Sequence, residues 1–379
     1  MRGAFWASCL AILYTYILYP VLVVFRGRLR QRPHKTGAGT PNVTLILAAR
    51  NEALNLPMKL DNIAELDYPQ ERLQVIVASD GSTDQSEQIV AEHDGADAEF
   101  LALPRLGKCG TLNVAISHAH GEIVVFSDAN SVYRKNALRE LVRPFVDPDV
   151  GGVAGNQVYH QPSEQEGVIA GERRYWNFDR MLKRNQSRAG SAIGGTGAIY
   201  AVRKSLLSQI PDGVSDDLYN TLSVVRLGKR LVFAPDAIAY EWVSRSAHDE
   251  YARKVRVMVR GLRCVWVMRR LLNPARYGFF AVQLFTQKVL MRAMAVPLAI
   301  AATSALILAR RRRLYTFAAL AQALFYCFAS VGLTKGRSGF GGARIFTIPA
   351  YFCLVNAGSV QAWWQFLRGD KLTRWEPKR

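Results

Sequence analysis

Two short apolar runs, each closed by a carboxylate, set the terms for what this chain can fold into. Residues 73–79 end at Asp80, and residues 122–127 end at Asp128. Runs of this length, rich in Val and Ile and bounded by Asp, Gly, Ser and Asn, read as buried strands of a parallel sheet. In open α/β sheets the ligand lies beyond the carboxyl ends of the strands, so both acids stand where a polar, nucleotide-bearing ligand is met. Between them, Gly107-Lys108-Cys109-Gly110 reads as a flexible cationic loop able to face a diphosphate. A third apolar run, 43–49, leads into Arg50-Asn51-Glu52 and an amphipathic helical stretch. After Asp80, Gly81 permits a tight turn and Asp84 is expected to cap the next helix.

Residues 4–25 carry no charge, which is enough length to cross a bilayer. The run exceeds a typical signal-peptide core, and the basic flank 26–32 offers no small-residue cleavage site, so a retained membrane helix is expected. That flank places the following domain in the cytoplasm, at an inner (plasma) membrane. Further multi-pass spans are expected at 293–309, 314–333 and 345–367, preceded by an interfacial segment at 279–292. If every span crosses, the 310–313 loop and the basic C-terminus fall on the wrong side, so one segment is expected to lie flat or form a hairpin. In 249–270, Val255, Met258, Leu262 and Val265 recur at helical spacing with Arg253, Arg256, Arg260 and Arg263 between them, the pattern of a helix lying in the membrane interface. The expected organisation is 1–32 membrane helix and flank, 33–245 cytoplasmic domain, 246–292 interfacial helices, and 293–379 membrane region.

The net charge of +19 gathers beside apolar segments, at 26–32, 245–276 and 309–313. Membrane lipids with anionic headgroups are the plainer counter-ion, and no RNA-binding or helix-turn-helix signature points to nucleic acid. Five scattered cysteines and six histidines show no metal spacing. A P-loop is excluded at Gly107-Lys108, because Leu101 or Ala102 stands where its first glycine belongs and Cys109 where Ser or Thr is needed.

Ala49-Arg50-Asn51-Glu52, Ser79-Asp80-Gly81-Ser82, Gly107 to Asn113, Asp128-Ala129-Asn130 and Ser215-Asp216-Asp217 follow one another in this order. The chain resembles the family-2 glycosyltransferases in these motifs over about 42–265. The nearest likeness is to the membrane-embedded branch of cellulose, chitin, hyaluronan and poly-N-acetylglucosamine synthases and ceramide glucosyltransferase-like enzymes. The resemblance implies an α/β GT-A fold: a Rossmann-like mixed sheet flanked by helices, here with N- and C-terminal transmembrane helices. It also implies a UDP-sugar donor and a glycan or lipid acceptor.

Carried over by motif, Asp80 binds the uracil or ribose side of the nucleotide, with Ser79 standing where the family often has a second aspartate. Lys108 pairs with the diphosphate. Asp128 and Asn130 replace the metal-binding Asp-x-Asp, and Mg²⁺ or Mn²⁺ suits an oxygen donor set completed by phosphates. Trp176, beside Tyr175, stands on the helix that borders the acceptor channel, and Gly197, with Gly194 and Gly195, lets the acceptor approach. Asp217 matches the catalytic base of the family's Thr-Glu-Asp, with Asp216 as the alternative; a carboxylate there takes the proton of the attacking hydroxyl. Arg256 matches the arginine of Gln-x-x-Arg-Trp and helps hold the diphosphate, while Arg253 and Val257 replace the Gln and Trp of processive enzymes. The implied activity is inverting transfer of a hexosyl or N-acetylhexosaminyl unit to a glycan acceptor in envelope polysaccharide synthesis. Single-step transfer to a lipid, or a catalytically silent nucleotide-sugar-binding partner, are the alternatives.

Overall fold

The computed structural model describes residues 1–160, 167–242, 247–335 and 343–370, with side chains outside 160–176, 242–250 and 335–342. One sheet of eight strands forms the centre: β1 Val43–Ala49, β2 Leu73–Asp80, β3 Ala98–Leu103, β4 Ile123–Asp128, β5 Ser131–Tyr133, β6 Val150–His160, β7 Tyr200–Arg203 and β8 Arg230–Trp242. Their spatial order is β3-β2-β1-β4-β7-β6-β8-β5. β3, β2, β1 and β4 run parallel, as the two acid-closed runs imply. β7 then pairs antiparallel with both β4 and β6, and β5 pairs antiparallel with β8, so the sheet is mixed.

The apolar runs are continuous because the parallel strands are covered on both faces. Val43, Leu45 and Leu47 face one core with Leu56, Leu60 and Ile63 of the helix Leu56–Ala64 and Leu138 of the helix Ala137–Val142. Ile46, Ile76, Val124 and Phe126 face the other, packed on Leu112 of the helix Gly107–His118 and on Leu218 and Leu222 of the helix Asp216–Arg226. β1 and β2 are aligned Ala49 to Ser79, and β1 and β4 are aligned Ala48 to Asp128. That register brings Asp80 and Asp128 to one rim of the sheet.

The helix Ala247–Val267 does not simply rest on a membrane. Cys264, Val265 and Met268 enter the second core, and Val255 and Val259 pack on Ala362 of the last helix, Arg344–Leu367. Its apolar stripe is therefore covered by protein on two sides.

Among the described residues, three helices are long and apolar enough to cross a membrane: Arg2–Leu29, Arg313–Thr334 and Arg344–Leu367. The expected separate span at 293–309 is corrected. Ala295–Leu308 has 14 residues, about 21 Å of helix, too short alone for a ~30 Å hydrocarbon core. It joins Phe279–Ala293 as one pair bent by 52°, and the π-helical turn Thr286–Leu290 and the 3-10 turn Met291–Ala293 cause the bend. The pair reaches the far end of the first helix, where Phe5 meets Ala305, Leu308 and Tyr315. Arg310–Arg313 thus lies opposite the sheet domain. The end of the last helix returns to it, with Arg263 donating to the Gly369 carbonyl.

Candidate active site

The segment expected to be a flexible loop at Gly107–Gly110 is the first turn of the helix Gly107–His118, and its side chains bind that turn to its surroundings. Gly107, at φ 77°, turns its N–H onto Asp80 Oδ1 at 2.7 Å, and the Thr111 hydroxyl meets the same oxygen at 3.2 Å. Asp80 thereby satisfies the open N-terminus of the helix. Asn113 exchanges two hydrogen bonds with Ile210, and the Cys109 thiol reaches the Val214 carbonyl, which ties the helix to the loop before Asp216. Lys108 is then carried between two acids, 3.1 Å from Asp128 Oδ1 and 3.5 Å from Asp216 Oδ2. Burial alone would lower its pKa, but Asp128, Asp216 and Asp217 outweigh that and hold it charged, above its ordinary value.

Asp80 is fully buried, and its second oxygen, Oδ2, has no hydrogen-bond partner among the described residues. Beside it, Ser79 accepts from the Ser82 N–H and shapes the turn. Asp84 accepts from the Ser86 N–H and hydroxyl, the expected cap, and also from the Ala53 N–H. These bonds draw the 50–53 loop onto the 79–86 turn.

Asp217 sits on the first turn of the helix Asp216–Arg226. Its Oδ1 accepts from the Ser215 hydroxyl and the Leu218 N–H. Its pKa is nonetheless raised, by burial first and then by Asp216 next to it. Asp217 is the more open of the pair; Asp216 is buried and ion-paired to Lys108.

The glycines have a different use from the one expected. A Cβ on Gly197 would fall 2.8 Å from Asp128 Oδ2, and one on Gly195 would fall 2.9 Å from Tyr200. Both make room for neighbours inside the domain before any acceptor arrives. Trp176 and Tyr175 lie on the helix Gly167–Ala189, but their side chains are outside the described residues. Arg256 is half-buried beside Arg253 and Arg260, and burial followed by those two charges lowers its pKa. The structure puts it in this arginine row, whereas Lys108 holds the acids.

Two residues that sequence reasoning passed over complete the rim. Glu241, the partner of Ser131 across β5 and β8, accepts from Asn130 Nδ2 at 3.2 Å and from the Gln157 amide. Burial, then Asp128, pushes its carboxyl up to about 7, against the pull of Arg253, Asn130 and Gln157. Lys59 is buried beneath the same turn, donating to Ser127 Oγ at 2.8 Å and the Ser131 carbonyl at 2.7 Å, with its ammonium 4.0 Å from the Tyr133 ring centre. Burial pushes it down to about 7 although Asp128 opposes the shift. The sequence signal for Glu241 is an acid at the end of a long, largely apolar strand.

The described residues hold no cluster of three or more His, Cys, Asp or Glu side chains able to bind a metal. What Asp128 and Asn130 offer is one carboxylate, with Gly197 leaving Oδ2 uncrowded, and one amide whose N–H is committed to Glu241. That set fits a hard divalent cation whose shell a phosphate ligand completes, rather than an all-protein cage.

A model of the glycosyl transferase family 2 matches residues 44–210. The poly-beta-1,6-N-acetyl-D-glucosamine synthase of Staphylococcus aureus (strain COL) is 25% identical over 238 residues, 61% of this chain and 57% of that protein. An N-acetylglucosaminyltransferase of Rhizobium sp. (strain N33) is 28% identical over 218 residues, 52% of this chain and 48% of that one. The chain spans about half the length of these curated relatives. The mannosyltransferase PcManGT from Pyrobaculum calidifontis, solved in complex with GDP-Man and Mn²⁺, is similar over 97% of this chain and 99% of its own, with TM-score 0.73 and 25% identity. The sheet order, the acids at its rim and these likenesses converge: the chain has a GT-A fold, and its residues 44–210 match the glycosyl transferase family 2.

Proposed function

We propose that the protein is an inverting glycosyltransferase that moves a hexosyl or N-acetylhexosaminyl unit from a UDP-sugar to a glycan acceptor at a membrane, in envelope polysaccharide synthesis. The observation that carries this is the Lys108 ammonium joined to Asp128 and Asp216, with the raised carboxylate of Asp217 next to them. A diphosphate entering the rim competes for Lys108, which suits phosphate as a compact point charge. The buried Oδ2 of Asp80 is a ready acceptor for the imino N–H of a base. Asp128 and Asn130 would hold Mg²⁺ or Mn²⁺ together with the diphosphate, and the cation would neutralise charge on the leaving group. The acceptor hydroxyl attacks C1 of the sugar, the bond from C1 to the diphosphate oxygen breaks with its electrons on the nucleotide, and Asp217 takes the hydroxyl proton.

The domain is assigned to the cytoplasmic face. Arg26, Arg28, Arg30 and Arg32 flank it, while Arg310–Arg313 gives the other end of the bundle an equal number of arginines, so charge alone is no guide. Labelling single cysteines at 31 and at 311 with a membrane-impermeant reagent tests the orientation; labelling of 31 in intact cells overturns it.

The functional test is nucleotide release by the purified full-length protein in lipid, against UDP-sugars and GDP-mannose, with and without Mn²⁺. Release with a UDP-hexose or UDP-N-acetylhexosamine supports the reading. Release with GDP-mannose alone overturns the donor, and none with any donor overturns the activity. A second reading, one sugar per lipid acceptor, is favoured by Arg253, whose charge acts on Glu241, and by exposed Val257, where processive relatives have Gln and Trp. Product sizing separates them: a ladder supports polymer synthesis, a single addition the glycolipid.

A further inference from the structure

We infer that Lys59 is a positioning residue: from beneath the sheet rim it holds the Asp128-Ala129-Asn130 turn in the shape that binds a divalent cation together with a diphosphate. This rests on the reading of Asp128 and Asn130 given above and adds the group that fixes their backbone. Lys59 belongs to the buried stripe Leu56, Lys59, Leu60 and Ile63 of the helix Leu56–Ala64, and it is 0% exposed. A methionine or leucine would fill that space without the cost of taking an amine out of water. The usual compensation for a buried lysine is a carboxylate, yet all three of its hydrogen-bond partners are neutral oxygens.

Those partners bracket the turn. Lys59 Nζ donates to Ser127 Oγ at 2.8 Å, just before Asp128, and to the Ser131 carbonyl at 2.7 Å, just after Asn130. Ser131 Oγ, 3.3 Å from Nζ, takes the third N–H and donates its own hydrogen to the Asp128 carbonyl at 2.8 Å. Ser127 Oγ is then left to donate to the Ala198 carbonyl at 3.3 Å. Ala198 follows Gly197, whose missing side chain gives Asp128 Oδ2 its room. Three donors thus meet three acceptors, and each hydroxyl passes its hydrogen to one carbonyl.

The support is itself anchored. Asn62, on the same helix, exchanges two hydrogen bonds with the backbone of Tyr133: Nδ2 donates to its carbonyl at 2.8 Å, and Oδ1 accepts its N–H at 2.6 Å. The helix is therefore tied to β5 just beyond the turn, and the Tyr133 ring centre lies 4.0 Å from Lys59 Nζ. On the other side of the turn, Glu241 holds the Asn130 side chain. Lys59 fixes main chain where Glu241 fixes a side chain, so the two constrain the same pair of ligands in different ways. A small divalent cation with strict geometry and few protein ligands depends on such outer contacts.

The test is a Mn²⁺ titration by magnetic resonance on the full chain in phosphatidylcholine nanodiscs, with UDP and, separately, with GDP. Lys59→Met should raise the Mn²⁺ concentration needed for half-saturation about ten-fold. Ser127→Ala should weaken binding by itself and add nothing in the Lys59→Met background, because the two residues act through one network. Leu60→Ala, the next residue of the same helix, should lower the melting temperature through lost core packing while leaving the titration unchanged. Equal titrations of wild type and Lys59→Met overturn the role of Lys59 alone, as do additive effects of Lys59→Met and Ser127→Ala. An equal shift in Leu60→Ala also overturns it, since general loosening of the core would then suffice. Wild type that binds no Mn²⁺ with either nucleotide overturns it together with the cation site on which it rests.

Discussion

The two sides of Asp217 are built differently. On the sheet side, each charged group has a local answer: Lys108 lies between Asp128 and Asp216, Asp80 receives the N-terminus of a helix, and Glu241 is held by Asn130 and Gln157. On the membrane side the helix Ala247–Val267 sets Arg256 beside Arg253 and Arg260, and burial followed by those two like charges lowers its pKa. The first arrangement is a set of paired groups that a donor diphosphate and a cation can enter by exchange. The second is a row of like charges along one helix. A paired site keeps its geometry without ligand, whereas like charges set side by side weaken one another's hold on a proton.

The comparison can be broken from the donor side first. Asp128→Asn removes the one carboxylate aimed at the cation and leaves Lys108 with Asp216; transfer should fall about 100- to 1,000-fold, read as initial rate at saturating donor. A change under ten-fold would mean that Asp128 is a structural partner of Lys108 and nothing more. Lys108→Met should lower stability by about 2 kcal/mol in denaturant melts. That is less than the full cost of breaking a buried pair, because a third of the Asp128 side chain is open to solvent. Unchanged stability would show the pairing to be incidental.

Smaller effects sharpen the contrast. Glu241→Gln should raise the Mn²⁺ concentration needed for half-saturation about ten-fold, measured by Mn²⁺ magnetic resonance with nucleotide present, because one acceptor oxygen is then left to answer both Asn130 and Gln157. Equal titrations would leave Glu241 out of the site. The smallest effect concerns pH. Lys59 has a folded pKa of about 7 against 10.5 in the unfolded chain, so the unfolded state binds more protons above pH 7. Lys59 therefore adds to stability as pH rises from about 7 towards 10, and adds no slope below, where both states are protonated. Melting temperatures of Lys59→Met should lack that rise; a parallel pH profile would contradict it.

How much of this could be read in advance depended on the range of each interaction. The acid-closed runs gave β2 and β4 because a buried parallel strand is apolar throughout and must stop at a polar residue, which is a local pattern. Lys108 was legible as a cation at the rim, but its turn was taken for a loop. The bonds that make it a helix come from Asp80, Ile210 and Val214, up to about a hundred residues away. Glu241 and Lys59 were not legible for the same reason: one reaches the site through the pairing of β5 with β8, the other from beneath the sheet. Ala295–Leu308 was taken for a span because hydropathy ignores where a helix bends.

The most direct test of the central claim is transfer by Asp217→Asn, measured beside donor binding in the same preparation. The account predicts that nucleotide-sugar still binds while transfer falls by about 100-fold or more, since the hydroxyl proton has lost its acceptor. Turnover equal to wild type would remove Asp217 from the chemistry and contradict the mechanism.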